Sequence, residues 1–552
     1  MRSLFEILVC LVAVGSACAA EMAADAKDYL QAKPADMKWW REARFGMFVH
    51  WGPVSLKGTE ISWSRGSQIP VEEYDNLYKQ FNPTRFNARE WVAVAKAAGM
   101  KHLVFTTKHH DGFCEWDTKL TDYKITNSPF KRDVVKELAD ACREAGIRLG
   151  FYYSPPDWRS QGQPGYVKYM HGHLRELCGN YGKVDIVWFD GLGGSAQEWD
   201  AANLFKMIRE LQPHVIINNR AGLPADFDTP EQWIGEFNRD RAWETCMTLG
   251  GQWAWKPNDN IKSLKQCIQT LVQVVGGDGN FLFNVGPMPT GEIEPRQVDR
   301  LKEMGQWMSR YGKTIYGTRG GPYKPGRWGA ATCKGSTVYL HILDWPGETI
   351  TLPALPAKIA KSSLLTGGKP VVRQTPESIE ISVRPSDRQE IDTIVALKLD
   401  SSAEAIEPMP GRMPSKSLAF GKPATASNVY ADDPALGPDK AFDDDDDTRW
   451  AADAGTHQAW IAVDLAKPQK IGRVVIGEEP DVPTPWRVRE FELQYKDGDT
   501  WVTFARGNGI GRRLVLDFTP ITAQVVRLNI LKADEGPTIP EILILPPPSR
   551  DG

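Results

Sequence analysis

The sequence predicts an α/β protein in which a TIM-like (β/α) barrel is followed by a small β-sandwich and a C-terminal β-sandwich module. Three observations support this class. Helical patterns alternate with short apolar strands up to about residue 320, which is typical of βαβ units and a parallel sheet. From about Lys324 the segments become short and β-rich, with Pro and Gly between them. A polar stretch after residue 400 precedes the last β-rich module.

The strand candidates of the barrel follow one another along the chain. The first is Phe45 to Gly52. Four more strands each follow a helical pattern; the helix and strand pairs are 89–99 with 102–107, 136–146 with 148–154, 166–181 with 184–191, and 201–211 with 215–219. The first two helices end at glycine, a common helix terminator. Such a run favours a barrel, and periodicity alone leaves an open sheet as the alternative.

The same patterns divide the chain into five segments. We predict a signal peptide at 1–20, the barrel at 21–320, a β-sandwich at 321–400, a linker at 401–416 and a last module at 417–548. The signal peptide rests on Arg2, an apolar run from Leu4 to Val14 and small residues up to Ala20, although Glu6 interrupts the run. We therefore expect a secreted or periplasmic protein.

Composition excludes several classes of partner. The formal net charge of −4 over 552 residues gives no basic field for nucleic acid. No run after the signal reaches the length of about 18 apolar residues that spans a membrane. Six of the eight cysteines follow the signal, without a CxxC pair, so no zinc site is expected. The 20 tryptophans offer ring faces on which sugars commonly stack. The sequence does not indicate the oligomeric state.

Polar and aromatic groups lie at the carboxyl end of each predicted barrel strand. They are His50-Trp51, His109-His110-Asp111, Tyr152-Tyr153-Ser154, Asp190, and Asn218-Asn219-Arg220. Burying so many polar groups costs free energy unless they line a site, and the carboxyl ends of barrel strands carry such sites. A small polyhydroxylated ligand fits these donors, acceptors and rings.

A metal is the second interpretation of the paired histidines. Adjacent residues on a strand end are expected to point to opposite sides, so His109 and His110 should not reach one ion. No HExxH spacing is present either. We therefore expect no cofactor for catalysis.

Acidic residues provide a different kind of chemistry. Asp190 ends the strand VDIVWFD and shares a strand face with Trp188, whereas the alternative is a simple Asp-Gly turn. Hydrolysis of a glycosidic bond uses two facing carboxylates. Candidate partners for Asp190 are Glu231, Glu236 and Glu244, each of which could instead be a solvated surface charge.

Several motifs, in order, resemble the α-L-fucosidases of glycoside hydrolase family 29. They are FGMFVHWG, TTKHHDGF, GFYYSPPDW, VDIVWFDG, NNR, TPE with WETC, and GNFLFNVGP, within residues 37–320. The resemblance implies a barrel followed by a β-sandwich and a retaining exo-α-L-fucosidase. It implies Asp190 as the nucleophile and Glu231 as the acid/base, with Glu244 and then Glu236 as alternatives. An apolar or anionic neighbourhood, such as Trp233 and Asp190, would help Glu231 to hold its proton.

The resemblance also implies the residues that contact the sugar. They are His50, Trp63, His109, His110, Tyr153, Trp188 and Arg220. Where the family commonly has a Glu before the tryptophan, this chain has Ser62, and Glu60 is the nearest substitute. The departure favours one alternative, a glycosidase for a related sugar such as an L-galactoside. A second alternative is a non-catalytic carbohydrate-binding protein, against which the presence of both Asp190 and Glu231 argues. Partners are expected to be fucosylated oligosaccharides or glycoconjugates, with a lean towards α-1,3/1,4 linkages.

The last module resembles a discoidin, or coagulation factor 5/8 type C, domain, similar to family 32 carbohydrate-binding modules. The resemblance rests on NVYADDPALGPDKAFDDDDDTRWAA, on Trp460 to Leu465 and on Pro540-Glu541-Ile542. It implies a structural calcium ion held by Ala441, Asp444, Asp447 and Glu541, since calcium prefers oxygen ligands. The alternative is a solvated acidic turn.

Overall fold

The computed structural model describes residues 29–345, 347–413, 416–445, 448–479 and 486–547. These form two compact units: one extends to Ile350 and includes Ala354–Gly411, and the other comprises Thr351–Pro353 and the chain from Arg412. The predicted signal peptide lies outside the described residues. Within the described ranges no helix is long and apolar enough to cross a membrane.

The first unit is built on a parallel sheet of seven strands. Its order is β5-β4-β3-β2-β1-β7-β6, and every neighbouring pair is parallel. The strands are β1 (Phe45–Val49), β2 (His102–Lys108), β3 (Arg148–Tyr153), β4 (Ile186–Phe189), β5 (Ile216–Ile217), β6 (Glu244–Thr248) and β7 (Asn280–Val285). The α-helices of this unit are α1 (Pro34–Ala43), α2 (Val71–Asn76), α3 (Ala88–Ala98), α4 (Val134–Ala145), α5 (Tyr166–Asn180), α6 (Ala201–Leu211), α7 (Leu264–Gly276) and α8 (Pro295–Tyr311).

An irregular segment, residues 227–231, closes the sheet. Isolated parallel bridges join Asn218 to Phe227 on the β5 side, and Asp228 to Trp243 and Glu231 to Cys246 on the β6 side. The sheet is therefore a curled barrel in which this segment takes the place of a strand. The predicted fold class is confirmed, and the open-sheet alternative is excluded.

Local sequence signals explain where the helices begin and end. The side chain of Asn87 caps α3 by accepting from the backbone of Arg89, and Asp133 caps α4 in the same way. Both helices end at a glycine in the left-handed region, Gly99 and Gly146, at φ 88° and 70°. These ends were predicted from the sequence.

The chain from Arg319 to Leu399 forms antiparallel sheets. One sheet has the order β12-β15-β10-β9-β8, and a second has the order β11-β14-β13. The strands are β8 (Arg319–Gly320), β9 (Gly329–Lys334), β10 (Thr337–Ile342), β11 (Thr349–Pro353), β12 (Ile359–Leu364), β13 (Val371–Gln374), β14 (Ser378–Ser382) and β15 (Thr393–Leu399). The predicted linker at 401–416 begins with packed residues, because Ala403 is buried and Met409 bridges to Tyr323.

The second unit has its own sheet and its own apolar core. The main order is β16-β18-β21-β19-β20, with β23 also on β18, and β17 pairs with β22. The strands are β16 (Ala424–Ala426), β17 (Trp450–Ala451), β18 (Ala459–Gly477), β19 (Val488–Asp497), β20 (Thr500–Gly507), β21 (Leu514–Ala533), β22 (Thr538–Ile539) and β23 (Glu541–Leu545). Its core cluster draws only on residues of this unit, among them Trp450, Ile461 and Phe491.

Candidate active site

A pocket opens at the carboxyl ends of the barrel strands. It is lined by Phe48, His50, Trp63, His109, His110, Tyr152, Trp188, Asp190, Leu192, Arg220, Glu231, Cys246 and Trp253. Eight of the predicted site residues are thereby brought together: Asp190, Glu231, His50, Trp63, His109, His110, Trp188 and Arg220. Barrel geometry explains this, since parallel strands present all their carboxyl ends at one rim.

Asp190 lies at the centre of the polar contacts. The Tyr152 hydroxyl donates to Asp190 Oδ2 at 2.9 Å, and Arg220 Nη1 donates to Oδ1 at 3.1 Å. His110 Nε2 is 3.6 Å from Oδ2. The next residue is glycine for a packing reason, because a Cβ at Gly191 would collide with the backbone oxygen of Arg220. The Asp190 carboxylate is thus held in the pocket by side chains from neighbouring strand ends.

Arg220 joins the two acidic residues of the pocket. Its Nη1 donates to Glu231 Oε2 at 2.6 Å as well as to Asp190. Thr229 fixes the guanidinium, accepting from Nε at its hydroxyl and from Nη2 at its carbonyl, both at 2.7 Å. The guanidinium also lies 4.7 Å from the ring centroid of Trp188, a cation–π contact. Both carboxylates therefore lie within reach of one nitrogen.

The three pocket histidines are neutral near pH 7. Burial lowers the pKa of His50 to about 3, against a smaller opposing effect of Asn284. Burial also lowers the pKa of His110 to about 4, although Asp190 opposes the shift. The pKa of His109 lies well below its ordinary value, again through burial. The rings act as hydrogen-bonding groups rather than as charges.

Ser62, where the sequence departs from the family pattern, contacts the site indirectly. It is buried in the left-handed region at φ 58°, and its Oγ lies 2.6 Å from His109 Nδ1. Glu60 does not take the place of the missing glutamate, since its carboxylate accepts from the backbone of Ile61, Trp253 and Ala254. The expected substitution by Glu60 is therefore corrected: this side chain anchors a loop.

Tyr153 is a second correction. It is absent from the pocket lining, and its hydroxyl lies 3.0 Å from His173 Nδ1 on α5. Tyr152 is the pocket residue instead. The reason is strand alternation: Tyr152 pairs with Trp188 across β3 and β4, whereas Tyr153 pairs with Phe189.

The two alternative acid/base residues lie elsewhere. Glu244 is fully buried at the beginning of β6, the end of the strand opposite to the pocket, where Oε2 accepts from Trp40 Nε1 at 3.2 Å and lies 3.1 Å from His102 Nε2. Glu236 is exposed and does not line the pocket. Of the two neighbours predicted for Glu231, Trp233 is 57% exposed and does not line the pocket. Asp190 does line it and shares Arg220 Nη1 with Glu231.

The expectation that His109 and His110 point to opposite sides is wrong. The chain leaves the strand conformation after Lys108, and the two ring centroids are 4.2 Å apart. One nitrogen from each ring and an oxygen of Asp190 lie within 4.8 Å of one another, a spacing that could hold a metal ion. The same atoms suit the hydroxyl groups of a sugar equally well.

Sequence reasoning missed Phe48, Leu192, Cys246 and Trp253, and it placed Tyr152 at a strand end without choosing it over Tyr153. Strand parity offered a signal for Phe48, which alternates with His50, whereas Tyr152 needed the register of β3 against β4. In the barrel both rings pack beside Trp188, at centroid distances of 5.2 and 5.7 Å. Trp253 comes from a loop after β6 and had no such signal, yet its ring centroid lies 4.8 Å from that of His50.

The candidate calcium ligands lie in the second unit. Asp444 is 3.7 Å from Arg412 Nη1, and its neighbour Asp443 accepts from the Thr448 hydroxyl at 2.9 Å. Glu541 begins β23 and is buried. Asp447 lies outside the described residues. Among the described residues the six cysteines are buried, unpaired thiols.

Two carboxylates on one guanidinium, in a pocket lined by imidazole and aromatic rings, are an arrangement typical of a glycoside hydrolase. The family model for alpha-L-fucosidase matches residues 10–313, and that for the F5/8 type C domain matches residues 423–543. The chain therefore belongs to the α-L-fucosidase family, and a discoidin-type domain follows.

Individual relatives agree with this assignment. The chain is 29% identical to the tissue alpha-L-fucosidase of Macaca fascicularis over 359 residues, 56% of this chain and 75% of the relative. The solved alpha-L-fucosidase isoenzyme 1 from Paenibacillus thiaminolyticus is 36% identical, with a TM-score of 0.62 over 66% of this chain and 99% of that one. An alpha-L-fucosidase from Bacteroides thetaiotaomicron, solved as a trapped covalent intermediate, is 28% identical, with a TM-score of 0.62 over 67% and 97%.

Proposed function

We propose that this protein is a retaining exo-α-L-fucosidase in which Asp190 is the nucleophile and Glu231 is the acid/base. The observation that carries the proposal is the Asp190–Arg220–Glu231 arrangement, with both carboxylates on one guanidinium nitrogen. Retaining glycosidases need carboxyl groups about 5–5.5 Å apart, whereas inverting enzymes need room for a water molecule between them. A shared nitrogen supports the shorter spacing.

The reaction proceeds in two displacements. Asp190 attacks the anomeric carbon of the fucoside, the glycosidic bond breaks, and Glu231 gives its proton to the leaving oxygen. Glu231 then takes a proton from water, and that water attacks the same carbon. The bond to Asp190 breaks and fucose is released with its original anomeric configuration, which returns both carboxyl groups to their starting states.

Arg220 has to exchange partners in this cycle. An ion pair with a guanidinium stabilises the ionised form of a carboxyl group, and the first step needs a Glu231 that holds a proton. A sugar that enters between Asp190 and Glu231 would separate Glu231 from Arg220. Arg220 then remains on Asp190, held by Thr229 and the face of Trp188. The relative that was solved as a trapped covalent intermediate supports a covalent mechanism by similarity.

Removing the nucleophile tests the proposal. We expect Asp190→Ala to lower kcat on an aryl α-L-fucoside by at least about 10³-fold. Added azide should restore turnover and give the fucosyl azide of inverted configuration, because azide enters from the side that the carboxylate occupied. An unchanged rate would remove Asp190 from the mechanism, and NMR of the first-formed wild-type product checks retention.

The three candidate glutamates can be distinguished by how strongly the hydrolysis rate of each variant depends on the leaving group of the substrate. Glu231→Gln should slow hydrolysis of fucosides with sugar leaving groups by about 10²–10⁴-fold, while activated aryl leaving groups should need less help from an acid. Glu244→Gln and Glu236→Gln are the matched controls and should keep the wild-type dependence. If Glu244→Gln shows the loss instead, the assignment of Glu231 fails.

We also propose that His50, Trp63, His109, His110, Trp188 and Arg220 contact the fucose and that α-1,3/1,4 linkages are preferred. All six residues line the pocket, and Trp63, which is 53% exposed, lies at its mouth. Defined fucosyl oligosaccharides test the linkage, and an aryl L-galactoside in the same panel tests the sugar. Faster release from α-1,2 or α-1,6 linkages would contradict the preference.

Two further properties rest on the sequence patterns. We propose export, on the apolar run near the N-terminus, and a structural calcium ion near Ala441, Asp444, Asp447 and Glu541 in the second unit. The acidic composition of residues 443–447 supports an oxygen-seeking cation.

A further inference from the structure

The three pocket histidines each use one ring nitrogen inside the protein. In every case this is Nδ1, which leaves Nε2 for a ligand. The three contacts are His50 Nδ1 with Asn284 Oδ1 at 2.7 Å, His109 Nδ1 with Ser62 Oγ at 2.6 Å, and His110 Nδ1 with Ser154 Oγ at 2.6 Å. Because the rings are neutral, the partner of Nδ1 decides whether Nε2 carries a proton.

We assign the proton of His110 to Nδ1. The Ser154 hydroxyl lies 2.7 Å from the carbonyl of Pro156, to which it donates while Ser154 Oγ accepts from His110 Nδ1. With the reverse roles the Pro156 carbonyl would keep only the longer contact with Lys108 Nζ, at 3.2 Å. His110 Nε2 therefore presents a lone pair, and it lies 3.6 Å from Asp190 Oδ2, which is also an acceptor. A hydroxyl hydrogen between them would satisfy both atoms.

His50 has the same tautomer for a different reason. The amide nitrogen of Asn284 donates to the carbonyl of Trp253 at 2.7 Å, which fixes the orientation of the amide. Asn284 Oδ1 then faces His50 Nδ1, which must donate to it. His50 Nε2 is a second acceptor.

His109 has the opposite arrangement. The backbone N–H of Asp111 donates to Ser62 Oγ at 2.9 Å, and among the described residues the acceptor within reach of the Ser62 hydroxyl hydrogen is His109 Nδ1. Ser62 is fully buried, where leaving a hydroxyl hydrogen without an acceptor is unfavourable. Ser62 therefore donates to His109 Nδ1, and the proton of His109 lies on Nε2. Tyr74 holds this arrangement, donating to Asp111 and accepting from the Ser62 backbone.

We propose that the pocket recognises its sugar through fixed tautomers, with His50 and His110 as acceptors and His109 as the single imidazole donor, and that Ser62 is the positioning residue that sets His109. Hydroxyl groups that meet His50 and His110 have to donate, whereas the group that meets His109 has to accept. The identity of the sugar rests on the proposed function, but the tautomers rest on contacts within the protein.

The tautomers are measured directly in the full-length protein. Selective ¹⁵N labelling of its nine histidines, with two-bond ¹H–¹⁵N correlation spectra, distinguishes protonated Nδ1 from protonated Nε2. Signals are assigned with His→Gln variants. We expect Nδ1–H in His50 and His110 and Nε2–H in His109. Finding Nδ1–H in His109 overturns the proposal, whether or not the protein hydrolyses fucosides.

Ser62→Ala tests the positioning role. We expect the His109 signal to lose its fixed Nε2–H form, and KM for an aryl fucoside to rise about tenfold with a smaller change in kcat. Ser64→Ala is the matched control, because Ser64 is equally buried on the same loop but its hydroxyl accepts from Thr59. An unchanged His109 spectrum in Ser62→Ala, or an equal loss in Ser64→Ala, overturns the role of Ser62.

Fluorinated sugars give an independent measurement. Fluorine accepts weakly and cannot donate, so 3- and 4-deoxyfluoro-L-fucose should inhibit less well than L-fucose wherever the replaced hydroxyl faces His50 or His110. At the sugar position that faces His109, the deoxyfluoro analogue should inhibit better than the deoxy analogue. This difference in inhibition should disappear in Ser62→Ala. Equal inhibition by the fluoro and deoxy analogues at both positions would contradict the donor role of His109.

Discussion

At the scale of single residues, the orientation of Asp190 depends on its neighbour Tyr152. Burial and the nearby Asp190 carboxylate raise the pKa of the Tyr152 phenol well above its ordinary value, so the hydroxyl keeps its hydrogen. The hydroxyl donates to Asp190 Oδ2, while Arg220 donates to Oδ1. The carboxylate therefore has one donor for each oxygen, which fixes its plane in the pocket.

Adjacent tyrosines provide a test of this arrangement. Tyr152→Phe should lower kcat/KM on an aryl fucoside by roughly tenfold to a hundredfold, because the charged carboxylate of Asp190, the proposed nucleophile, loses a hydrogen bond. Tyr153→Phe should leave kcat/KM near the wild-type value and lower the free energy of unfolding by about 1 kcal/mol, since it removes the contact with His173. Equal kinetic losses in both variants would show that the contact with Asp190 has no specific role.

The chemistry-bearing side chains were predictable where a motif or a strand end exposed them. Asp190, His50 and Arg220 lie in the pocket as predicted. The choice between Tyr152 and Tyr153 needed the register of β3 against β4, which depends on contacts between distant residues. Ser62 looked like a loss of a sugar contact, and only the structure shows its bond to His109.

At the scale of elements, the barrel closes through an irregular segment that carries Glu231. Residues 227–231 contact β5 and β6 through isolated bridges, and Glu231 lies at the carboxyl end of this segment. On either side of Glu231, the Pro230 carbonyl accepts from the Cys246 N–H at 3.1 Å and the Gln232 N–H donates to the Cys246 carbonyl at 2.9 Å. The backbone of Glu231 is therefore held against β6, so the proposed exchange of partners would involve its side chain alone.

The alternation of helices and strands was readable from apolar periodicity and helix caps. The predicted strand 102–107 and the observed His102–Lys108 differ by one residue, and the helix ending at Gly146 was also placed correctly. In the segment 227–231 the apolar residues follow neither the spacing of a helix nor the alternation of a strand. Closure of the barrel therefore could not be predicted from the sequence. The strands β6 and β7 were also absent from the predicted strands, although the WETC and GNFLFNVGP motifs overlap them.

Helix packing around the barrel gives a test at this scale. Gly305 on α8 lies against α3, where a Cβ would collide with the backbone oxygen of Ala97. Gly305→Ala should therefore lower the free energy of unfolding by about 1–3 kcal/mol, since the two helices have to move apart.

The control for that variant is Gly179 on α5, where a Cβ meets no atom within 4 Å. Gly179→Ala should raise the free energy of unfolding by about 0.5–1 kcal/mol through helix propensity. Denaturant titration measures both variants. Stabilisation by Gly305→Ala would mean that α3 and α8 are not held at this distance.

At the scale of the whole molecule, catalysis and the last module belong to different units. Every residue that lines the pocket lies between Phe48 and Trp253, in the first unit. The second unit has a separate core, with Trp450 and Phe491 fully buried. The motifs of the two parts were recognisable separately from the sequence because each forms its own structure.

Two cores should give two unfolding transitions. We expect calorimetry of the full chain to show two transitions, with calcium raising the temperature of one and EDTA reversing the effect, because an ion that binds the folded unit stabilises it.

A chain that ends at Gly411 should lose the calcium-sensitive transition and keep kcat/KM on an aryl fucoside. Asp444→Asn in the full chain should weaken the calcium response, and Asp497→Asn, at the end of β19, is the matched control. An EDTA-insensitive full-length protein would contradict the calcium site, and a shortened chain that folds but loses activity on the aryl fucoside would show that the second unit contributes to catalysis.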